Sequence, residues 1–526
     1  MSEKYQFGVT SDPAKLREIY TVCGDAFSAT ITPEEFADLE SGKHVKVLND
    51  GGNLYGFYVE EKGTGKVIAS TTVREVDGFF KAADRSSALS SVPDPAAIGV
   101  KNVKFLLVGY VSTHKDFRNQ GIAKFIVGES IKYLENDIIT RKLKESDASK
   151  KDSFKNMVTK ADGQIDTQLA NYYLSKEYFW YLYSGVGKYY ERFGFKAFPM
   201  ESFRLPHSII SEKQESIIKD LIKNEYSTVV GGGKKLKLLR GSNLDDQNII
   251  NSIYQRKELE ILTDLNKMIF HSELQGSSHH PSSSLTNVHD ILESAKSGSS
   301  SFLSSITEDK TNSVPGQRRK SSAQQFSVSK VALKPDYETV KWHVSTENHY
   351  AKYSNSTPEK IEFTDIQGAI LTNELQQKSY YILWNTLMQR SMFILGMGEL
   401  HSDPVTGSRR SSSFGTLNEL GGYNFQDWDI LLATACYVGK NRSINFSKEI
   451  YLALNDLPSS VPTQLFYDHL LNYFPNSLDN SSQDATDDKV EIITDCLTGL
   501  PMIKLFGSES PNFDLDWTHS GVWSWG

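Results

Sequence analysis

Two short stretches of this 526-residue chain carry residue types and spacings that could do chemistry together. The first is Arg118-Asn119-Gln120-Gly121-Ile122-Ala123. It follows an apolar run that ends Val111-Ser112-Thr113, and it leads into Ile122, Phe125, Ile126, Tyr133 and Leu134 at helical spacing. A strand, a loop of small residues and a helix start make an anion site, because the first N–H groups of a helix lack internal acceptors and the helix dipole favours negative charge there. Gly121 and Ala123 keep the backbone approachable, and Arg118 adds a cation. The second stretch is Tyr189-Tyr190-Glu191-Arg192-Phe193-Gly194-Phe195, which comes just after the aromatic run Tyr178-Phe179-Trp180-Tyr181. A tyrosine hydroxyl titrates near pH ~10, so at neutral pH it is a hydrogen-bond donor that could serve a departing group.

The elements that must position these residues are legible around them. Asp12-Pro13 opens a first amphipathic helix with Leu16, Ile19, Tyr20, Cys23 and Phe27 on one face, and Thr32-Pro33-Glu34-Glu35 opens a second, short one. Leu54 to Glu60 and Val67 to Val76 read as a hairpin across Lys62-Gly63-Thr64-Gly65, and Phe105 to Thr113 reads as a third strand. Glu135 to about Gln168 is dense in charge and reads as a solvated insertion. In the second half, 248–265 reads as a helix, and 368–372, 379–387 and 392–397 read as strands. Residues 276–330 are rich in serine and glycine and read as a flexible insertion, ending near the basic Arg318-Arg319-Lys320-Ser321, with a similar Arg409-Arg410-Ser411-Ser412 further on.

Composition narrows the field. A net charge of -8 argues against a duplex-binding surface, so no nucleic-acid partner is expected. Three scattered cysteines suit neither a disulfide framework nor a four-ligand metal site, so no metal is expected. The greasiest stretch, 379–398, is broken by Asn385, Gln389 and Arg390. No membrane partner is expected, and a cytoplasmic location is.

The loop at 118–123 and the Tyr-x-x-x-Gly-Phe spacing of Tyr190 to Phe195 together resemble the GNAT acetyltransferases, over roughly residues 8–205. The resemblance implies an α/β (α+β) fold with a mixed central sheet flanked by helices, acetyl-CoA as co-substrate and a small-molecule amine as acceptor. Backbone amides from Asn119, Gln120, Gly121, Ile122, Ala123 and Lys124, with Arg118 beside them, would hold the pyrophosphate. The strand at Val111, Ser112 and Thr113 would pair with the pantetheine arm, and Tyr190 would donate to the departing thiolate. Many GNAT enzymes carry a carboxylate base on the strand before the loop. Here 103–113 has no Asp or Glu, which leaves His114 as the expected base. A second α/β domain would span 206–526, either a degenerate copy of the first fold or a different one, without a second cofactor loop. This architecture and the aromatic tail Trp517 to Gly526 are similar to fungal lysine N6-acetyltransferases of lysine catabolism. A protein or peptide N-acetyltransferase and a non-catalytic CoA-binding protein stay open as alternatives.

Overall fold

The computed structural model describes residues 4–28, 31–83, 99–146, 149–150, 153–207, 210–224, 233–274, 328–353, 357–387, 391–400, 425–442, 449–457, 461–473, 490–493 and 499–524. The serine-rich insertion, both Arg-Arg-bearing segments, Cys496 and Trp525 lie outside these residues.

A strand absent from the expectation, β1 (Tyr5–Thr10), precedes the first helix. Asp12 caps α1 (Pro13–Phe27), and Thr32 with Glu35 forms a reciprocal box at the start of α2 (Pro33–Asn49), which is longer than expected. β2 (Leu54–Glu61), β3 (Val67–Lys81) and β4 (Lys101–Thr113) follow as an antiparallel run. α3 (Ile122–Glu145) then runs well into the stretch expected to be a solvated insertion. Leu134, Ile138 and Ile139 recur at helical spacing and are buried, so the charge density there is one face of a packed helix. Two short helices, α4 (Phe154–Val158) and α5 (Thr167–Leu174), fill the rest of that stretch and bury Val158, Ala170 and Leu174. The aromatic strand is β5 (Tyr178–Ser184), and β6 (Lys196–Ala197) follows.

The second half repeats this order. After β7 (Ser202–Pro206) and α6 (Glu212–Lys223) come β8 (Lys234–Arg240), α7 (Leu244–Leu274), β9 (Lys330–Leu333), α8 (Tyr337–Tyr353) and α9 (Pro358–Thr364). They lead to β10 (Ile366–Asn373), β11 (Lys378–Leu387), β12 (Ser391–Leu400), α10 (Gln426–Asn441) and β13 (Glu449–Ala453). The chain ends with α11 (Thr463–Tyr473), β14 (Glu491–Ile493), β15 (Leu500–Leu505) and β16 (Asp516–Trp517). One sheet runs β1-β2-β3-β4-β5-β15-β6, and the other, read in the same direction, runs β8-β10-β11-β12-β13-β7-β14. Each sheet has a parallel pair at the matching place, β4 with β5 and β12 with β13, and the first sheet has a second where β16 joins β9. β9 extends the first sheet beyond the hairpin, pairing with Gly78 to Lys81 of β3.

The two sheets exchange strands. β7, from the N-terminal half, sits between β13 and β14, while β15, from the far end of the chain, sits between β5 and β6. The expected division into 8–205 and 206–526 therefore runs across both sheets, and the two units interlock. Phe105, Phe179 and Tyr181 of the first sheet share a core with Tyr381, Phe393 and Tyr451 of the second and with Ile253 and Ile261 of α7. The tail docks on this core through Trp517 and Trp523, both buried.

A buried polar node fixes the incoming strand. Glu135 of α3 accepts from Lys504 Nζ at 2.9 Å, Trp180 Nε1 at 3.0 Å and the Gly507 amide at 2.9 Å. Lys504 is nearly inaccessible, so an ammonium left there without its carboxylate is costly. Glu135→Ala is expected to lower unfolding free energy by roughly 3 kcal/mol in denaturant titration, and Glu135→Ala/Lys504→Met to regain most of it. Equal losses in the single and double variants would contradict this role.

Candidate functional site

The site begins where β4 and β5 part. They pair in parallel from Lys104 and Tyr178 to Leu107 and Tyr181 and no further. Past that point β4 stays on β3 as far as Thr113, and β5 stays on β15 as far as Ser184. Each strand is held from its outer side, so the opening between them is a fixed feature of the sheet.

The cause of the turn in β4 is local. The register of β3 on β4 slips so that Thr71 alone faces Tyr110 and Val111, and Tyr110 has φ 51. A bulge of this kind adds twist and re-aims the strand. Thr71 Oγ1 donates to the Gly109 carbonyl at 3.0 Å, and the Tyr110 hydroxyl donates to Glu40 Oε2 at 3.0 Å. Glu40 is fully buried and also accepts from Trp342 Nε1 at 3.0 Å, Thr346 Oγ1 at 3.1 Å and Lys43 Nζ at 2.8 Å. One carboxylate thus ties α2 to the bulge and to α8.

The opening is a cavity of about 400 Å³. Val108 to Val111 form one edge and Leu182, Tyr183, Gly185 and Val186 the other. Tyr190 also lines it, and α8 supplies Trp342, His343, Thr346 and Glu347. At the end of β4 stands the loop 118–123. Asn119 has φ 63 and Gly121 φ 78, left-handed conformations that a short polar residue and a glycine accept. Helices α1, α2, α4, α5 and α6 open with side-chain caps, whereas α3 opens on Gly121 and has none. Its first amides are left for another acceptor. Ile122 is buried and pins the helix start, while Gly121 and Lys124 are exposed and Ala123 partly so.

The remaining sequence-derived residues are placed as follows. Val111 lines the cavity. Ser112 is buried and donates to the Val22 carbonyl at 3.0 Å, and the buried Thr113 hydroxyl has no partner among the described residues. Arg118 Nε donates to the Thr113 carbonyl at 3.1 Å, which folds the side chain back along the strand end. Gln120 Oε1 accepts from the Tyr5 hydroxyl at 3.0 Å. Tyr190 is buried in a short 3₁₀ turn, Gly187–Phe193, edge-on to Tyr189. Burial, then the neighbouring Tyr189, pushes its hydroxyl well above the usual tyrosine range, so it remains a proton-bearing donor through neutral pH.

His114 does not line the cavity. It caps the turn Lys115–Phe117, its Nδ1 accepting from the Asp116 amide at 3.4 Å, with Lys66 Nζ 3.3 Å from Nε2. The expected base is therefore occupied in shaping the loop, because the first polar side chain after a strand is well placed to cap the next turn. Sequence reading missed Glu40, Trp342, His343 and Glu347. They come from helices remote in sequence, and nothing in their local spacing marks them.

No protein-family model matches the chain, and no curated protein matches it. Among solved structures, the chain is similar to a GCN5-related N-acetyltransferase from Kribbella flavida, at 9% identity over 96% of this chain and 72% of that one, with a TM-score of 0.36. It is similar to a probable N-acyltransferase from Enterococcus faecalis V583, at 10% identity over 95% and 73%, TM-score 0.35. A GNAT family acetyltransferase from Brucella melitensis, in complex with acetyl-CoA, aligns at 14% identity over 36% of this chain and 84% of that one, TM-score 0.20. Likenesses this distant do not bear on activity or substrate. Among the described residues no cluster of metal-ligating side chains occurs, and no helix is long and apolar enough to cross a membrane.

One wall of the cavity has a built-in acid sensitivity. His44 of α2 is fully buried, with the Tyr20 hydroxyl 3.0 Å from Nδ1 and the Leu54 carbonyl 3.1 Å from Nε2, and burial pushes its pKa down to about 4. His207, buried beside Arg442 and Lys440, is likewise pushed down to about 4. Both lie below the unfolded value near ~6.5, so their contribution to stability is complete above that pH and is lost as pH falls toward 4. Thermal stability is expected to drop across that window, by about 1.4 kcal/mol per pH unit for each histidine at most, and His44→Gln to flatten part of the drop. A flat wild-type profile from pH 7 to 4 would contradict it.

Proposed function

We propose that the chain is an acetyl-CoA-dependent N-acetyltransferase whose acceptor is a small amine, free L-lysine first among them. The observation that carries this is the coincidence of the β4/β5 opening, the uncapped start of α3 at the end of the same β4, and Tyr190 in the same cavity. Ligands of α/β sheets sit beyond the carboxyl ends of parallel strands, where the next helix begins. The fit to the cofactor is physical. The exposed amides around Gly121 suit a pyrophosphate, and the unpaired edges at Val108 to Thr113 suit an amide-bearing arm that hydrogen-bonds like a strand.

Acetyl-CoA, when bound, supplies an acetyl group on a thioester. The protein's part is to hold, orient and manage protons. Asn119 to Lys124 offer amides to the phosphates, and Tyr190 keeps its proton and donates toward the sulfur as charge develops there. A lysine side-chain amine has a pKa near ~10.4, so only about four in ten thousand molecules are neutral at pH 7, and the bound acceptor must lose a proton before attack. The cavity volume, about 400 Å³, falls in the range of small-ligand sites and supports a small acceptor over a peptide.

The test is acetyl-CoA turnover with free L-lysine, with a lysine-containing peptide and with no acceptor. Free lysine is expected to be acetylated on its side-chain nitrogen, and Tyr190→Phe to lower kcat by roughly ten- to a thousandfold with little change in either KM. Turnover of peptide alone would overturn the small-acceptor half. CoA binding without turnover of any amine would support a non-catalytic CoA-binding protein instead.

A further inference from the structure

The wall of the cavity that faces the proposed cofactor edges carries charges that the cofactor grip does not use. Glu347 of α8 is 2% exposed, and although Thr386 and Arg442 lie beside it, neither of its oxygens meets full hydrogen-bond geometry among the described residues. Its one ion contact, Arg442 Nη1 at 3.3 Å from Oε1, lies outside hydrogen-bond geometry. Arg442 is committed elsewhere. Its Nη1 donates to Thr386 Oγ1 at 2.7 Å, and its Nη2 donates to the carbonyls of Thr364 at 2.8 Å and Ile366 at 3.2 Å. Burial raises the Glu347 carboxyl above the ordinary carboxylate range, against the pull of Arg442 and Thr386. A buried carboxylate on a cavity, whose neighbours Thr386 and Arg442 fall short of full hydrogen-bond geometry, can take N–H donors from a ligand.

Arg74 of β3 lines the same cavity. Among the described residues it makes no ion pair, and its guanidinium lies over the Trp342 ring, 5.6 Å from the centroid. A ring beneath the guanidinium steadies it without using its N–H fork, which remains free for a planar anion. An anion-hungry fork and a cation-hungry carboxylate therefore share one small cavity, built from the first unit's β3 and the second unit's α8. A molecule with both charges answers both demands.

Resting on the acetyltransferase reading above, we propose that this cavity is the acceptor site and that it selects a free amino acid with a cationic amine, Glu347 pairing with an ammonium group and Arg74 with the carboxylate. Selection then depends on the interlocking of the two units, since neither supplies both charges. The acceptor brings N–H donors to the Glu347 oxygens, and its carboxylate meets the Arg74 fork.

The experiment measures binding of L-lysine, of cadaverine, which lacks the carboxylate, and of 6-aminohexanoate, which lacks the α-amine. Calorimetry on the full chain needs no acyl donor, and acetyl-CoA binding and melting temperature are measured alongside. Wild-type protein is expected to bind L-lysine more tightly than cadaverine. Arg74→Gln is expected to weaken L-lysine by about ten- to a hundredfold and leave cadaverine unchanged. Glu347→Gln is expected to weaken both by about as much. Because Glu347→Gln leaves the Arg442 charge buried, Glu347→Gln/Arg442→Met is the companion variant. A double variant that folds and binds acetyl-CoA normally but still fails to bind L-lysine supports the proposal. If it regains L-lysine affinity, Glu347 serves only to pair with Arg442 and the proposal falls, as it does if Arg74→Gln binds L-lysine like wild type. Loss of the acetyltransferase reading would appear separately, as wild-type protein that fails to bind acetyl-CoA whatever its affinity for L-lysine.

Discussion

Strand β15 is the constraint on which the rest of the structure depends. Its six residues pair with all of β5 but Tyr178, from Leu505 opposite Phe179 to Leu500 opposite Ser184. β5 thus stays in the sheet after it leaves β4 at Tyr181, and the opening between β4 and β5 keeps a firm far edge. A strand end without partners on either side would fray or close onto its neighbour, because backbone groups in a protein interior must be paired. The Glu135 node fastens β15 to α3, the helix whose bare start lies at the end of β4. One carboxylate, that of Glu135, therefore links β15, the opening and the helix that starts at the end of β4.

The reciprocal placement of β7 and β15 makes the two units obligate partners. Each unit's sheet is completed by a strand from the other half of the chain, and a joint core of aromatic side chains lies between the sheets. Contacts this remote in sequence carry a loop-closure cost that is recovered only when both sheets form. The second unit keeps the order of elements, but its helix α10 opens at Phe425, not on a glycine. What it contributes to the cavity is α8, held against α2 and the β4 bulge through Glu40.

The parts of this arrangement that could be read from the sequence are those fixed by neighbours in the chain. The strand–loop–helix arrangement at 113–122 was legible because a strand, Gly121 and an amphipathic helix follow one another closely in the chain, and the φ of 78 at Gly121 is a local requirement. Tyr190 was legible from its spacing to Gly194 and Phe195. The strand exchange was not, because β15 is short and its partner is more than 300 residues away, and nothing in Leu500 to Leu505 says which sheet it joins. The place of His114 was hidden for the same reason. Its type suits a base, yet the place of a side chain relative to a cavity is set by tertiary packing, and here it caps a turn. Glu347 was hidden among the charges of an ordinary amphipathic helix and stands out only through its burial.

In the function proposed here, one cavity, between the parted strands and beside the start of α3, receives acetyl-CoA. Amide hydrogen exchange on the full chain, with and without acetyl-CoA, is the decisive measurement. Slowed exchange is expected in the segments Val108 to Lys124 and Leu182 to Tyr190, with little change along the matching strands β12 and β13 of the second unit. Protection confined to the second unit, or no protection anywhere at saturating acetyl-CoA, would contradict it.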